Sequence, residues 1–277
     1  MGTEARRVSA VIVSHDTRDE LLRCLASLFA GTFRPLEVLV VDNASADGSP
    51  AAVEQGFPQV RVIRLAENAG FARANNLGLR QAQAPLVLIL NPDTEVRPGA
   101  IDALVAVLDA RPLVGAVGPR TLNPDGSLQV SFGPDLTPLA EWRQRRLVRG
   151  AKSRNPRVHA RLAGMTEREF EPDWLSGSCI LARREALLAV GGFDEGFFLY
   201  EEDADLCLRL RRLGWSVLFT PGAEIVHHLG SSMAKAPTRA RLEYHRSHLR
   251  YYAKHNGPWA RVALRSAMAA TALLGLA

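Results

Sequence analysis

Apolar residues fall in short unbroken runs, and stretches of helical spacing separate one run from the next. Val8 to Ser14 is a β-branched run closed by a polar loop, which marks a strand covered on both faces rather than a half-exposed one. Thr17 opens a helix. Thr17 and Glu20 have capping-box spacing, and Leu21, Leu22, Leu25, Leu28 and Phe29 recur at helical period until Gly31 stops it. Leu36 to Val41 predicts a second buried strand, Val60 to Leu65 a third, Phe71 to Gln83 a helix, and Leu86 to Leu90 a fourth strand running into Asn91-Pro92-Asp93. Pro98 suits the first turn of a helix carrying Ile101, Leu104, Val105 and Leu108, and Val114 to Gly118 reads as a strand. Strands alternating with helices in this way specify an α/β fold on an open, mostly parallel sheet, with ligands at the carboxyl ends of the strands.

Asn123-Pro124-Asp125-Gly126 is a hairpin turn signal, after which regularity fades until about Asp173. This basic stretch, about 135–172, reads as an insertion facing an acceptor. Order returns with a strand over Cys179 to Ala182, a helix over Asp203 to Leu213 and a strand over Ser216 to Phe219. A chain of 277 residues suits one large domain with trimmings. Residues 1–232 are therefore assigned to one catalytic domain and 233–277 to a basic, aromatic helical extension.

Hydrophobic content of 47% with 23% charged residues excludes a disordered or fibrous chain. The net charge of +5 is uneven: basic residues crowd from Arg143 to Arg168 and again from Lys235 to Arg265. Such patches attract phosphates on lipids, on diphosphate-linked substrates or on nucleic acid, and a solvated face is an equal reading. Cys24, Cys179 and Cys207 are odd in number and set among apolar residues, as expected of buried free thiols in a reducing compartment. With no charged-then-apolar leader at Met1 to Arg7, the expected location is cytoplasmic. Tyr244, Leu249, Tyr251, Tyr252 and Trp259 interleave with Arg and Lys ahead of an apolar run, Ala260 to Ala277, too short and charged for a span. Contact with the cytoplasmic membrane face is expected there, a packing helix being the alternative.

Four polar clusters follow predicted strands, where a doubly wound sheet places its site. Asp42-Asn43-Ala44-Ser45 offers a carboxylate to a base imide or ribose hydroxyl, or else an Asx turn. Asn68 to Gly78 brings Gly70 to a helix start, where backbone amides can meet a diphosphate, with Arg73 and Asn75 as further donors. Asp93, in Asn91-Pro92-Asp93-Thr94, can supply an oxygen to a hard divalent cation, and a plain strand-end turn reads equally well. Gly192 to Leu206 packs Glu201, Glu202, Asp203 and Asp205 at a helix start, where mutual repulsion raises some pKa values and so suits a general base.

In this order, together with Trp174-Leu175-Ser176-Gly177, the clusters resemble the family 2 inverting glycosyltransferases of the GT-A fold, most closely the bacterial rhamnosyltransferase-like branch. The resemblance spans about Val8 to Ser232. It implies that Ser14, Asp42, Asn43, Asn68, Gly70, Arg73, Asn75 and Asn91 bind the donor nucleotide. It further implies that Asp93 and His227 hold Mg²⁺ or Mn²⁺, with His228 the alternative ligand. Asn91 stands where a full DXD motif has its first acid, a departure that weakens the metal expectation. Trp174, Ser176 and Gly177 would line the sugar and acceptor pocket. Asp203 would take the acceptor proton, with Glu202 the second candidate. The implied donor is dTDP-L-rhamnose, or a UDP-sugar such as UDP-galactofuranose, and the implied acceptor a glycan or polyprenyl-diphosphate-linked glycan of cell-envelope polysaccharide. A nucleotidylyltransferase would need a Gly-rich phosphate loop where Ser14-His15-Asp16-Thr17-Arg18 stands. A nucleic-acid-binding module rests on the net charge alone, and the acidic clusters argue against it.

Overall fold

The computed structural model describes residues 7–32, 36–228 and 237–273. Its first half follows the expected alternation: β1 (Val8–Ser14), α1 (Arg18–Gly31), β2 (Leu36–Asp42), α2 (Ser49–Gly56), β3 (Arg61–Arg64), α3 (Phe71–Gln81), β4 (Leu86–Leu90), β5 (Thr94–Val96), α4 (Ala100–Ala110) and β6 (Val114–Leu122). The second half comprises β7 (Phe132–Gly133), α5 (Pro138–Lys152), α6 (Pro156–Met165), β8 (Trp174–Leu175), β9 (Cys179–Arg183), α7 (Arg184–Ala189), α8 (Glu202–Arg212), β10 (Ser216–His227), α9 (Pro237–His255) and α10 (Pro258–Leu273).

The main sheet has eight strands in the order β3-β2-β1-β4-β9-β6-β10-β5. β3, β2, β1 and β4 are mutually parallel, whereas β9 runs antiparallel to both β4 and β6. Period-two side-chain alternation explains why the strands carry unbroken apolar runs. Ala10, Ile12, Val38, Val40, Leu88 and Leu90 face one layer with α1 and α4. Val11, Val13, Leu39, Val41, Val87 and Ile89 face the other with α3 and α8. A third, smaller core joins Phe197, Ala204 and Leu208 to Tyr251, Tyr252 and Leu264, so α9 and α10 pack against α8.

Several local expectations are corrected. Thr17 flanks α1, but its hydroxyl pairs with Ser14 Oγ at 2.9 Å instead of capping the helix; no capping box forms. Pro98 stands just before Gly99, the residue that flanks α4, and thus outside the helix. The stretch 135–172 contains two helices, α5 and α6, where no regular structure was expected. Tyr251 and Tyr252 are buried in the third core and cannot face a lipid surface, whereas Trp142 on α5 and Trp259 on α10 are exposed. The boundary expected at 232/233, Lys235 and the tail 274–277 lie outside the described residues. All three cysteines are free and buried, as expected.

Candidate active site

The carboxyl ends of the parallel strands gather the first half of the site. Ser14 ends β1 as the register partner of Asp42, which ends β2. The loops that follow are stitched together: Asp16 N–H donates to Ser45 Oγ (3.0 Å), Ala46 N–H to Asp16 Oδ1 (2.7 Å), and Arg18 N–H to Asp47 Oδ2 (2.8 Å). Asp42 is tied into this stitching by only one of its carboxylate oxygens. It is buried, Oδ2 accepts one long bond from Ser45 N–H (3.3 Å), and Oδ1 has no partner. A buried unpartnered carboxylate oxygen costs on the order of 1–3 kcal/mol unless a ligand donor satisfies it.

Asn43 and Asn68, expected to touch the donor, also bond to each other and to the loop they occupy. Asn43 Nδ2 donates to Asn68 Oδ1 (2.9 Å) and to Gly70 O (3.3 Å), while Asn43 Oδ1 accepts Ala69 N–H (2.8 Å). These two residues shape the loop. Gly70, at φ 82°, is required by a neighbour: a Cβ there would lie 2.5 Å from Phe198 O. That same carbonyl accepts Phe71 N–H (2.7 Å), so the first α3 amide is already bonded within the protein. Arg73 projects from α3 into solvent. Asn75 is buried, donates to Phe71 O (3.0 Å) and leaves Oδ1 unpartnered. Asn76, which sequence reasoning passed over, grips the next loop through Phe193 O (2.9 Å), Phe193 N–H (2.8 Å) and Glu195 Oε1 (3.0 Å). Its polar side chain on a buried helix face was the signal.

Asp93 and His227 meet across the turn after β4, with His227 Nε2 3.1 Å from Asp93 Oδ1. His227 Nδ1 pairs with Gln129 Oε1 at 2.8 Å; with the proton on Nδ1, the Nε2 lone pair faces Asp93. His228 turns away to Glu95 at 2.8 Å, which favours His227 as the ligand. Asn91 Nδ2 lies 3.4 Å from His227 Nε2, and its Oδ1 is buried without a partner. No group of three or more His, Cys, Asp or Glu side chains forms a metal cluster among the described residues. The Asp93 carboxylate and the His227 imidazole nevertheless suit a divalent cation, while Asn91 presents its Nδ2 rather than its Oδ1 to His227.

The segment after β8 joins this region to the acidic helix. Ser178 O accepts Asn91 N–H (3.0 Å), and the preceding Gly177 N–H donates to Asp203 Oδ2 (2.9 Å). Asp203 Oδ1 also accepts Ala204 N–H (2.8 Å). Burial raises the Asp203 carboxyl above its ordinary range, and these backbone donors hold the rise in check. Glu202 is buried, its Oε2 is unpartnered, and burial with the adjacent Asp203 lifts it further still. Asp205 is withdrawn into ion pairs with Arg209 (2.7 Å), Lys254 (2.6 Å) and His255 (2.6 Å). Of the three acids on α8, only Asp203 lines the adjoining cavity of about 450 Å³, together with Trp174 and Ser176. Trp174 donates its indole N–H to Pro134 O (2.8 Å), which fixes the ring in the cavity wall.

Tyr200 and Glu201, just before α8, both have left-handed backbones, at φ 73° and 65°. For non-glycine residues each costs on the order of 1–3 kcal/mol, and such strain gathers at functional sites. Helix α9 supports the turn. Ser247 Oγ donates to Leu199 O (2.7 Å), and His248 Nδ1 lies 3.0 Å from Glu201 Oε1. His248 Nε2 also sits 3.1 Å from Glu141 Oε2 on α5, an ion-pair distance with poor hydrogen-bond alignment. Burial works against the imidazolium, but the two carboxylates outweigh it and raise His248 to about 9. Glu141 is held below its usual range by His248 and by the Tyr252 hydroxyl, which donates to it at 2.7 Å. Sequence reasoning missed Glu141, Glu201 and His248 as a unit.

A mostly parallel α/β sheet with Asp42 at a strand end, an Asp93–His227 pair after β4 and an adjoining cavity lined by Asp203, Glu141 and Glu201 has the layout of a GT-A glycosyltransferase. The chain belongs to glycosyl transferase family 2, whose model matches residues 9–187. It is 37% identical over 267 residues to the N-acetylglucosaminyl-diphospho-decaprenol L-rhamnosyltransferase of Mycobacterium tuberculosis, covering 92% of this chain and 87% of that protein. Among solved structures it resembles the mannosyltransferase PcManGT of Pyrobaculum calidifontis in complex with GDP-Man and Mn²⁺, with a TM-score of 0.59 at 21% identity. That match covers 98% of this chain and 76% of the other. It also resembles GalNAc-T7 with UDP, GalNAc and Mn²⁺, with a TM-score of 0.61 at 18% identity, covering 82% of this chain and 44% of that one. At these identities the two structures establish the fold alone.

Proposed function

We propose that this glycosyltransferase moves L-rhamnose from dTDP-L-rhamnose to a hydroxyl of an N-acetylglucosaminyl diphosphate carried on a polyprenyl lipid, in cell-envelope polysaccharide synthesis. The observation that carries the reading is the pair of contacts made by adjacent residues: Gly177 N–H to Asp203, and Ser178 O to Asn91 N–H. Through them the carboxylate facing the cavity and the Asn91-Pro92-Asp93 turn flank one short segment. The rhamnosyltransferase relative supports the sugar and the acceptor class.

The reaction is one in-line displacement with inversion. The acceptor oxygen bonds to the anomeric carbon as the bond from that carbon to the diphosphate oxygen breaks. The hydroxyl proton passes to Asp203, and dTDP departs. Asp42 Oδ1 accepts from the nucleoside, satisfying its buried lone pairs. Asp93 and His227 would hold a divalent cation, Mg²⁺ or Mn²⁺, which would offset charge on the departing diphosphate. Trp174 forms a wall for the incoming sugar. Work at the cytoplasmic face of the membrane follows from a lipid-linked acceptor and the basic surface of α5 and α9. Among the described residues no helix is long and apolar enough to cross a membrane.

The test is transfer by the purified protein to a short-chain N-acetylglucosaminyl diphosphate lipid, with dTDP-rhamnose and UDP-galactofuranose assayed in parallel with Mg²⁺ or Mn²⁺. Rhamnosylated product of inverted anomeric configuration is expected. Turnover with the UDP-sugar alone, or retention of configuration, contradicts the proposal.

A further inference from the structure

We propose that Arg145 and Arg149, one turn apart on α5, grip the diphosphate of the lipid-linked acceptor. This rests on the acceptor class proposed above and assigns the residues that would recognise it. An acceptor built as sugar, diphosphate and lipid needs three surfaces in sequence: a pocket with the base, a cationic site next to it, and an apolar surface beyond. The wall of the 450 Å³ cavity runs from half-buried Asp203 and Ser176 to exposed Arg145 and Arg149. At about 100° per residue, Glu141, Gln144 and Val148 share the inward face of α5, Arg145 and Arg149 form its rim, and Trp142 lies next to them on the outer side. The cavity is lined by the first five of these, and Trp142 is 55% exposed with Leu139 at 59%.

The charges leave these arginines available. Glu141 already has the Tyr252 hydroxyl at 2.7 Å and His248 at 3.1 Å, and Glu201 has His248 at 3.0 Å. Arg145 donates to Glu141 Oε2 (3.1 Å) with its side chain 53% exposed; on swinging to a phosphate it leaves that oxygen the charge of His248 at 3.1 Å, while Oε1 keeps the Tyr252 hydroxyl. Arg149 makes no ion pair among the described residues. Guanidinium groups bind phosphate oxygens through paired N–H donors, which a point charge cannot reproduce.

The experiment compares N-acetylglucosaminyl diphosphate farnesol with an octyl glycoside of N-acetylglucosamine, an acceptor with a lipid chain and no diphosphate. Wild type is expected to favour the diphosphate acceptor. Arg149→Ala is expected to raise its KM about 10- to 100-fold, with Arg145→Ala additive, so that the advantage over the octyl glycoside collapses. Arg149→Lys should recover part of it. Calorimetric binding of the same diphosphate compound, without donor, should weaken in parallel and become less salt-sensitive. Equal KM increases for both acceptors, unchanged KM for the diphosphate acceptor, or no binding of it to wild type overturns the site. Binding that weakens in the arginine variants while wild type transfers no rhamnose keeps the site and overturns the donor assignment instead.

Discussion

The donor side of the molecule and the acceptor side are built on different principles. On the donor side, the loops after β1, β2 and β3 are tied to one another by backbone-to-side-chain hydrogen bonds and by the amide of Asn43, which bonds to Asn68 and Ala69. What is left over is specific: Asp42 Oδ1, Asn75 Oδ1 and Asn91 Oδ1 are buried acceptors with no partner. On the acceptor side, α5, α8 and α9 come from three distant parts of the chain and are locked by buried charge. Glu141, His248 and Glu201 form one lock, and Asp205, Arg209, Lys254 and His255 the other. On the proposed assignment, donor recognition would rest on preformed acceptors, whereas the position of Asp203 as base would rest on ion pairs with residues of α5 and α9.

The sharpest way to separate the two sides is to remove the base. Asp203→Asn keeps size and one of the two backbone donors, Gly177 N–H or Ala204 N–H, but cannot take a proton, and turnover with both substrates saturating should fall by about 10²- to 10⁴-fold. Next in size, Asp93→Ala should lower turnover by about 10²- to 10³-fold and blunt the response to EDTA, with dTDP binding largely kept. Full activity of wild type in EDTA contradicts the metal role. Asp42→Ala should weaken dTDP by about 1.5–3 kcal/mol in a calorimetric titration, and unchanged affinity would remove Asp42 from the donor site.

His248→Gln tests the lock on the acceptor side. His248 is raised from 6.5 to about 9, so its contribution is complete below 6.5 and is lost as pH rises through about 9. Wild type should show a melting temperature that declines across that window, and the variant should be less stable at pH 6 but converge on wild type above 9. A constant gap between the two curves would mean that the imidazolium is not the source. Tyr252→Phe removes a single bond to the ionised Glu141 and should cost about 1.5–3 kcal/mol of stability, read by denaturant unfolding, with dTDP affinity unchanged.

The donor side was largely legible from sequence because its strands are buried on both faces and its polar residues follow them directly. Unbroken runs do not encode strand direction, so β9 was foreseen as a strand but its antiparallel insertion between β4 and β6 was not. The capping box at Thr17 does not form; its hydroxyl pairs with the Ser14 hydroxyl at the end of β1 instead. Helices α5 and α6 were missed for a different reason. Hydrophobic periodicity finds a helix by its apolar face, and the inward face of α5 carries Glu141 and Gln144 while Leu139 and Trp142 point outward. Asp203 was legible by position. Its separation from Glu202 and Asp205 came from partners, Gly177 on one side and Lys254 and His255 on the other, that no local pattern reveals.

The division of labour between the two sides is tested most directly by one titration, dTDP into the Asp203→Asn variant. If nucleotide grip resides with Asp42 and the loops around it, the dissociation constant stays within about 0.5 kcal/mol of the wild-type value, the limit for independent sites. A loss as large as that caused by Asp42→Ala would contradict the division and make Asp203 part of the donor site.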